Sequence, residues 1–246
     1  MKVPMPPRSL PSLCAGALLA LACLQAAPAR SQDRLDELPM YGGPESFQRS
    51  RSEDPALKAA DEQLIAGASA RWGSRAQAAL AWLQQGYAFY GRGQLGLAMR
   101  RFNQAWLLDA ANPEVYAGYA AVLHDQDKMC DAMRMMDKVM SMNGPARPGF
   151  LPDAARVTTL CAVGDAGMAA DARTALYRRA EALYRQAEQT EPDKGYVYYS
   201  WATADFWRGD YEGAWRMVAR ARSHGAAPNA KFLAMLAAKM PEPATR

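Results

Sequence analysis

The chain has 246 residues, of which 50% are hydrophobic, and this is enough apolar side chain for one domain with a sizeable core. The same composition excludes an intrinsically disordered protein. The formal charge is only +4, and Lys2 and Arg8 contribute two of these charges, so the chain lacks the basic excess of a dedicated nucleic-acid binder.

Residues 1–29 predict an export signal. A basic start precedes an uncharged apolar run, Leu13 to Leu24, which is too short to span a bilayer comfortably. Ala27-Pro28-Ala29 then matches a signal-peptidase cleavage pattern, so we expect an exported protein of the periplasm. A buried core helix is one alternative. Another is a relaxed bacterial lipobox ending at Cys23, which would leave a lipoprotein anchored to the membrane through Cys23.

Residues 30–54 are polar and rich in Gly, Pro, Ser and charge, which predicts a flexible linker. A helical domain is predicted over residues 55–241. Pro55 suits the first position of an introductory helix, with Asp54 or Ser52 as its cap, and apolar residues recur at helical spacing to about Ala70.

The sequence from Ala79 to Asn112 has the pattern of a helix hairpin. The first helix carries its packing residues at i, i+4 and i+7: Trp82, Gly86 and Phe89. Gly91-Arg92-Gly93 marks a tight turn, since glycine tolerates a positive φ. The second helix restarts the period with Ala98, Phe102 and Ala105. Asn112-Pro113 ends the unit, because the residue before proline is pushed out of the α region.

The same pattern recurs along the chain. Thirty-four residues later the equivalent positions hold Tyr116, Ala120, Leu123, Ala132, Met136 and Val139. A later unit supplies Tyr198, Ala202, Ala214, Val218 and Ala221. This later unit has Asp205 where a large apolar residue is expected, and we expect the neighbouring Phe206 to fill the place. Between them, Gly144 to Asp153 predicts a proline-rich loop, with helix resuming near Asp153.

On these residues the chain resembles the tetratricopeptide repeat (TPR) family, although the closing proline comes three residues late in the first unit. The resemblance implies an all-α fold, a right-handed superhelical solenoid of helix hairpins with flanking cap helices. The units are residues 79–112, 113–146, a degenerate 147–194 and 195–228, followed by a cap helix at 229–240. An unrelated helical bundle with chance spacing is the alternative.

The sequence offers no catalytic constellation, so we expect a protein that is not an enzyme and has no cofactor and no small-molecule substrate. The two histidines, His124 and His224, belong to no metal-binding pattern, and no glycine-rich phosphate loop follows a strand. Met129, Cys130 and Met133 with His124 suggest a copper carrier as a further alternative. Met129, Met133, Met136 and Met140 recur at helical spacing, however, which favours a core stripe.

In such a solenoid the first helices line the concave face. The predicted partner-binding residues are Leu83, Tyr87, Tyr90, His124, Tyr199, Thr203, Phe206 and Trp207. Tyrosine and tryptophan are favoured at binding hot spots, although some of these aromatics would be buried if the introductory helix covered them. We therefore expect a scaffold that binds a protein or peptide in the cell envelope. The alternative is a lipid-anchored structural subunit that packs through its convex side.

Two cysteines remain outside the export signal, Cys130 and Cys161. Cys130 falls at the start of one predicted helix and Cys161 near the end of the next. Antiparallel neighbours bring such ends together, and thiols tend to pair in an oxidising compartment. We therefore expect a disulfide that encloses the proline-rich loop, and the alternative is two separate buried thiols.

Overall fold

The computed structural model describes residues 38–41, 53–142 and 147–244. The predictions for the export signal, for Cys23 and for most of the linker lie outside these residues. Within them every regular element is a helix, which confirms the predicted all-α class. The helices in chain order are α1 Pro55–Trp72, α2 Arg75–Tyr90, α3 Leu95–Leu108, α4 Pro113–Asp125, α5 Met129–Ser141, α6 Phe150–Gly164, α7 Ala170–Thr190, α8 Lys194–Trp207, α9 Tyr211–Ser223 and α10 Ala230–Lys239.

Short polar side chains fix where several helices begin. Asp54 accepts a hydrogen bond from the Ala56 amide at 2.8 Å, and Asn112 accepts one from Glu114 at 3.0 Å. Each bond satisfies a backbone donor that has no partner within the first turn of a helix. Ser74, Asp193, Asp210 and Asn229 cap α2, α8, α9 and α10 in the same way.

Each helix packs against the next one in the chain, and the closest pairs are α2 with α3, α4 with α5, α6 with α7, and α8 with α9. The first helices of the last two pairs, α6 and α8, also pack on each other. The largest apolar cluster lies among α2 to α6. A second cluster joins α8, α9 and α10. Among the helices described, none combines the length and the apolar character needed to span a bilayer.

Phe102 of α3 is the central packing residue of the first cluster. Its ring lies between Gly86 of α2 and Gly118 of α4, and a Cβ atom added to either glycine would come within 2.5 Å of the ring. Phe102 is fully buried. The two glycines therefore allow α2 and α4 to approach the same aromatic ring from both sides.

Two predictions about the helices are wrong. Helix α6 begins at Phe150 rather than near Asp153, because Pro152 lies in the first turn, where its missing N–H costs nothing. The buried face of α5 carries Ala132, Met135, Met136 and Val139, whereas Met140 is exposed. The prediction therefore placed the buried face of α5 on the wrong side of the helix.

Asp205 occupies the position of the last unit where the repeat pattern predicts a large apolar residue. It lies in α8 and is only 3% exposed. Arg208 forms an ion pair with it at 2.9 Å. Burial raises the pKa of Asp205 to about 7, although the positive charge of Arg208 opposes the shift. The neighbouring Phe206 is buried in the second cluster, so it fills the apolar position that Asp205 leaves.

This raised pKa predicts a stability that falls as the pH rises. An aspartate in the unfolded chain has a pKa of about 3.9, so the folded protein binds the proton more tightly. The stabilisation is complete below about pH 4 and is lost through pH 7, at roughly 1.4 kcal/mol per pH unit in between. Asp205→Asn should flatten this dependence in urea unfolding between pH 5 and pH 8. Asp171→Asn, at an exposed site on α7, is the control and should leave it unchanged. Identical pH profiles for wild type and Asp205→Asn would contradict the assignment.

Candidate functional site

Tyr87 and Tyr90 lie in the last turns of α2, and both are half-buried. The Tyr87 hydroxyl donates to Glu114 Oε2 at 3.0 Å, and its ring packs edge-on against Phe102 with the centroids 5.1 Å apart. The Arg147 guanidinium carbon lies 5.9 Å from the centre of the Tyr87 ring. Burial, reinforced by the negative charge of Glu114, raises the pKa of Tyr87. The hydroxyl therefore stays protonated and keeps donating at neutral pH.

The second tyrosine of α2 is tied to the end of α4. Burial, together with a hydrogen bond to Asp125, raises the pKa of Tyr90 to about 12. The same carboxylate lies 2.8 Å from His124 Nδ1. Asp125 therefore contacts two of the predicted partner-binding residues, Tyr90 and His124, and orients both rings.

A matching arrangement lies on α6 and α8. Asp153 accepts a hydrogen bond from the Tyr196 hydroxyl at 2.5 Å and forms an ion pair with Arg156 at 2.9 Å. Burial and the negative charge of Asp153 raise the pKa of Tyr196. The charges of Asp153 and Arg156 also act on Tyr90, so the two arrangements are close enough to interact.

We call this surface the tyrosine face, and it comprises Tyr87, Tyr90, Glu114, Asp125, Arg147, Asp153, Arg156 and Tyr196. Its rings are held in place by carboxylates from neighbouring helices. Arg147 makes no ion pair within the part of the chain that the structure describes. Arg156, by contrast, is paired with Asp153, and its Nε is buried. The face therefore offers fixed aromatic rings together with the Arg147 guanidinium, which can still accept an anion.

The other predicted residues divide into three groups. Trp207 is 52% exposed at the end of α8. Tyr199 and Thr203 are half-buried and serve within the domain: the Tyr199 hydroxyl accepts from the Asn229 amide at 3.4 Å, and Thr203 donates to the carbonyl of Ser200. Tyr199 also packs edge-on against Phe232 of α10. It therefore anchors the last helix.

The prediction that Leu83 and Phe206 lie on the partner-binding surface is wrong. Each is only 7% exposed and belongs to an apolar cluster. Leu83 faces the cluster around Phe102, and Phe206 packs against Trp207, Tyr211 and Phe232. Both side chains stabilise the fold and offer no area to a partner.

The predicted partner-binding set includes Tyr87 and Tyr90 of the tyrosine face but not Glu114 and Asp125 of α4. It also misses four further residues of the face: Arg147, Asp153, Arg156 and Tyr196. They lie in or beside the degenerate unit, where the repeat pattern gives no phase for α6. The i, i+3 spacing of Asp153 and Arg156 was a usable signal for an ion pair on one helix surface. Tyr196 occupies a first-helix position one turn before Tyr199, and the helical period could have placed it on the same side.

A disulfide joins Cys130 at the start of α5 to Cys161 near the end of α6, with the Cα atoms 4.6 Å apart. A cavity of about 360 Å³ opens beside it and is lined by Asp127, Lys128 and Asp131 among others. Because Cys130 is oxidised, it cannot serve as the thiolate ligand that a copper carrier would use. Among the residues described, no group of three or more His, Cys, Asp or Glu side chains is arranged to hold a metal ion.

Comparison with protein-family models, with curated proteins and with solved structures finds no match to this chain. The interpretation of the tyrosine face therefore rests on its own geometry.

Proposed function

We propose that the protein is a non-enzymatic scaffold of the TPR type, a right-handed solenoid that binds a protein or peptide partner through the tyrosine face and Trp207. The observation that carries this proposal is the set of tyrosines whose hydroxyls are held by carboxylates from other helices. Rings fixed in this way lose little conformational freedom on binding, and tyrosine and tryptophan give large contact areas.

The Arg147 guanidinium suits a peptide that carries a carboxylate beside its apolar side chains. Tyr87, Tyr90 and Tyr196 would contact the apolar groups. Arg147 would receive a carboxylate, because its charge is not neutralised by a described carboxylate. Binding should therefore weaken as the salt concentration rises, and Arg147→Gln should reduce that salt dependence.

We propose export to the periplasm as the setting of this interaction. The disulfide between Cys130 and Cys161 supports it, because such bonds persist in oxidising compartments. Lipidation at Cys23 would instead produce an anchored subunit. The mass of the mature protein distinguishes the two, since an unmodified chain that begins at Arg30 contradicts the anchor and a diacylglyceryl cysteine supports it.

Partner capture from cell envelopes tests the binding surface. Tyr87→Ala and Trp207→Ala should each reduce partner retention at least tenfold, because truncating an aromatic hot spot costs about 2 kcal/mol or more and each 1.4 kcal/mol is tenfold. Tyr87→Phe keeps the packing against Phe102 and separates the loss of the hydroxyl from the loss of the ring.

Leu97→Ala on α3 and Met140→Ala on α5 are the matched controls, because these apolar side chains are 37% and 36% exposed on second helices. They should leave retention unchanged. Loss of the partner in the two controls, with full retention by Tyr87→Ala and Trp207→Ala, would contradict the proposal and would favour packing through the opposite, convex side.

A further inference from the structure

A short segment that precedes α1 in the chain packs against the helical domain. Residues 38–41, Leu-Pro-Met-Tyr, are described there, and Pro39 and Met40 are buried. The segment contacts α3 and α4, and Lys138 of α5 lies over the Tyr41 ring. It lies more than sixty positions from its principal hydrogen-bond partner along the chain.

That partner is Asn103 of α3, which is only 8% exposed. Its Nδ2 donates to the carbonyl of Leu38 at 2.8 Å, and its Oδ1 accepts from the amide of Met40 at 2.9 Å. These two backbone groups belong to residues i and i+2 of a segment that bends at Leu38, Met40 and Tyr41, so one side-chain amide bridges the bend. Because both bonds go to backbone groups, they do not depend on the side chains of the segment.

Side-chain contacts add selectivity to this pairing. Met40 is enclosed, and the hydroxyl of the fully buried Tyr119 lies against its backbone. Tyr41 packs edge-on against Tyr116 with the ring centres 5.0 Å apart, and Lys138 Nζ lies 5.4 Å from the Tyr41 ring. Methionine fills irregular apolar space well, and a cation over an aromatic face is attractive.

We propose that Asn103, Tyr116, Tyr119 and Lys138 form a second peptide-binding site, separate from the tyrosine face, for a short segment that carries methionine followed by an aromatic residue. Residues 38–41 occupy it in cis. Because this segment belongs to the same chain, its binding is intramolecular and competes with that of a free peptide. A free peptide therefore gains access only when the cis segment is weakened, so the site is occluded until another segment displaces residues 38–41.

A peptide with the sequence of residues 36–43, labelled with a fluorophore, tests the proposal on the full chain. The variant Met40→Ser/Tyr41→Ser weakens the cis segment and should bind the peptide at least tenfold more tightly than wild type does. In that background Asn103→Leu should reduce the affinity at least tenfold. Asn103→Asp is the nearly isosteric second variant: it keeps the acceptor for Met40 and replaces the donor to Leu38 by an oxygen, so it should also weaken binding.

Gln104→Leu, at the next position of α3, is the control and should leave peptide affinity unchanged. A scrambled peptide should bind at least tenfold more weakly. Circular dichroism of each variant verifies that the helices are retained. Failure of the folded Met40→Ser/Tyr41→Ser chain to bind the peptide, or equal binding in the presence and absence of the Asn103 amide, would overturn the proposal. Because none of these variants changes the tyrosine face, the result is independent of the function proposed above.

Discussion

Phe102→Ala is expected to lower the free energy of unfolding by about 3–5 kcal/mol, the range measured when a buried aromatic ring is removed from a core. The ring is fully buried and contacts α2 and α4 at positions without a side chain, Gly86 and Gly118. Neither glycine can extend an atom into the space left behind, so the cavity should persist. Urea unfolding followed by circular dichroism measures the change.

The two glycines allow a reciprocal test. Gly86→Ala and Gly118→Ala each place a methyl group about 2.5 Å from the Phe102 ring. Each should cost about 1–3 kcal/mol through overpacking. Gly67→Ala is the control, because Gly67 lies inside α1 with nothing within 4 Å of an added Cβ. That change should be neutral or should stabilise the helix by roughly 0.5–1 kcal/mol. Equal effects at Gly67 and Gly118 would show that the close contact with Phe102 is absent.

Loss of the disulfide is expected to have a comparable effect. The bridge links residues 31 positions apart, and the chain-entropy treatment gives a loop of about this length a stabilisation of roughly 3–4 kcal/mol. Reduction of the wild-type protein should therefore lower its unfolding free energy by about that amount. Cys130→Ser/Cys161→Ser should unfold at the same denaturant concentration with and without reductant. Two free thiols in protein purified without reductant would contradict the bridge itself.

The sequence predicted the helical class because packing residues recur at fixed spacing, and small residues such as Ala98 and Ala120 mark where helices approach each other. The N-caps could be predicted for a similar local reason, since Asn112 and Ser74 bond within two or three residues of themselves. Contacts of this kind depend on the nearest turn alone.

Features that depend on distant residues could not be predicted. Glu191 fixes the start of α6. Its carboxylate accepts a hydrogen bond from the Gly149 amide at 2.8 Å, although the two residues are forty-two positions apart in the chain. The phase of α5 depends on which face α4 and α6 cover, so Met135 became core and Met140 became surface. Residues 38–41 resemble linker by composition, and their contacts with Asn103, Tyr116 and Lys138 depend on residues more than sixty positions away in the chain.

The same distinction between local contacts and contacts with distant residues applies to the candidate site. Tyr87, Tyr90 and His124 could be assigned to the first-helix surface from the repeat phase, and Asp125 joins two of them. Leu83 and Phe206 share that phase, yet Leu83 is buried in the first apolar cluster and Phe206 in the second. Arg147 belongs to the degenerate unit, for which the sequence supplied no register, and Tyr196 lies in the first turn of α8, directly after that unit.

Site-specific photocrosslinking in intact cells tests the central claim most directly. A benzophenone amino acid is placed at position 90 or 207, on the proposed binding side, or at position 97 or 140, at exposed apolar sites on second helices. Partner proteins are then identified by mass spectrometry. We expect the same partner to be crosslinked from positions 90 and 207, with little or none from positions 97 and 140. Crosslinking of a common partner from positions 97 and 140, with none from 90 and 207, would contradict binding through the tyrosine face.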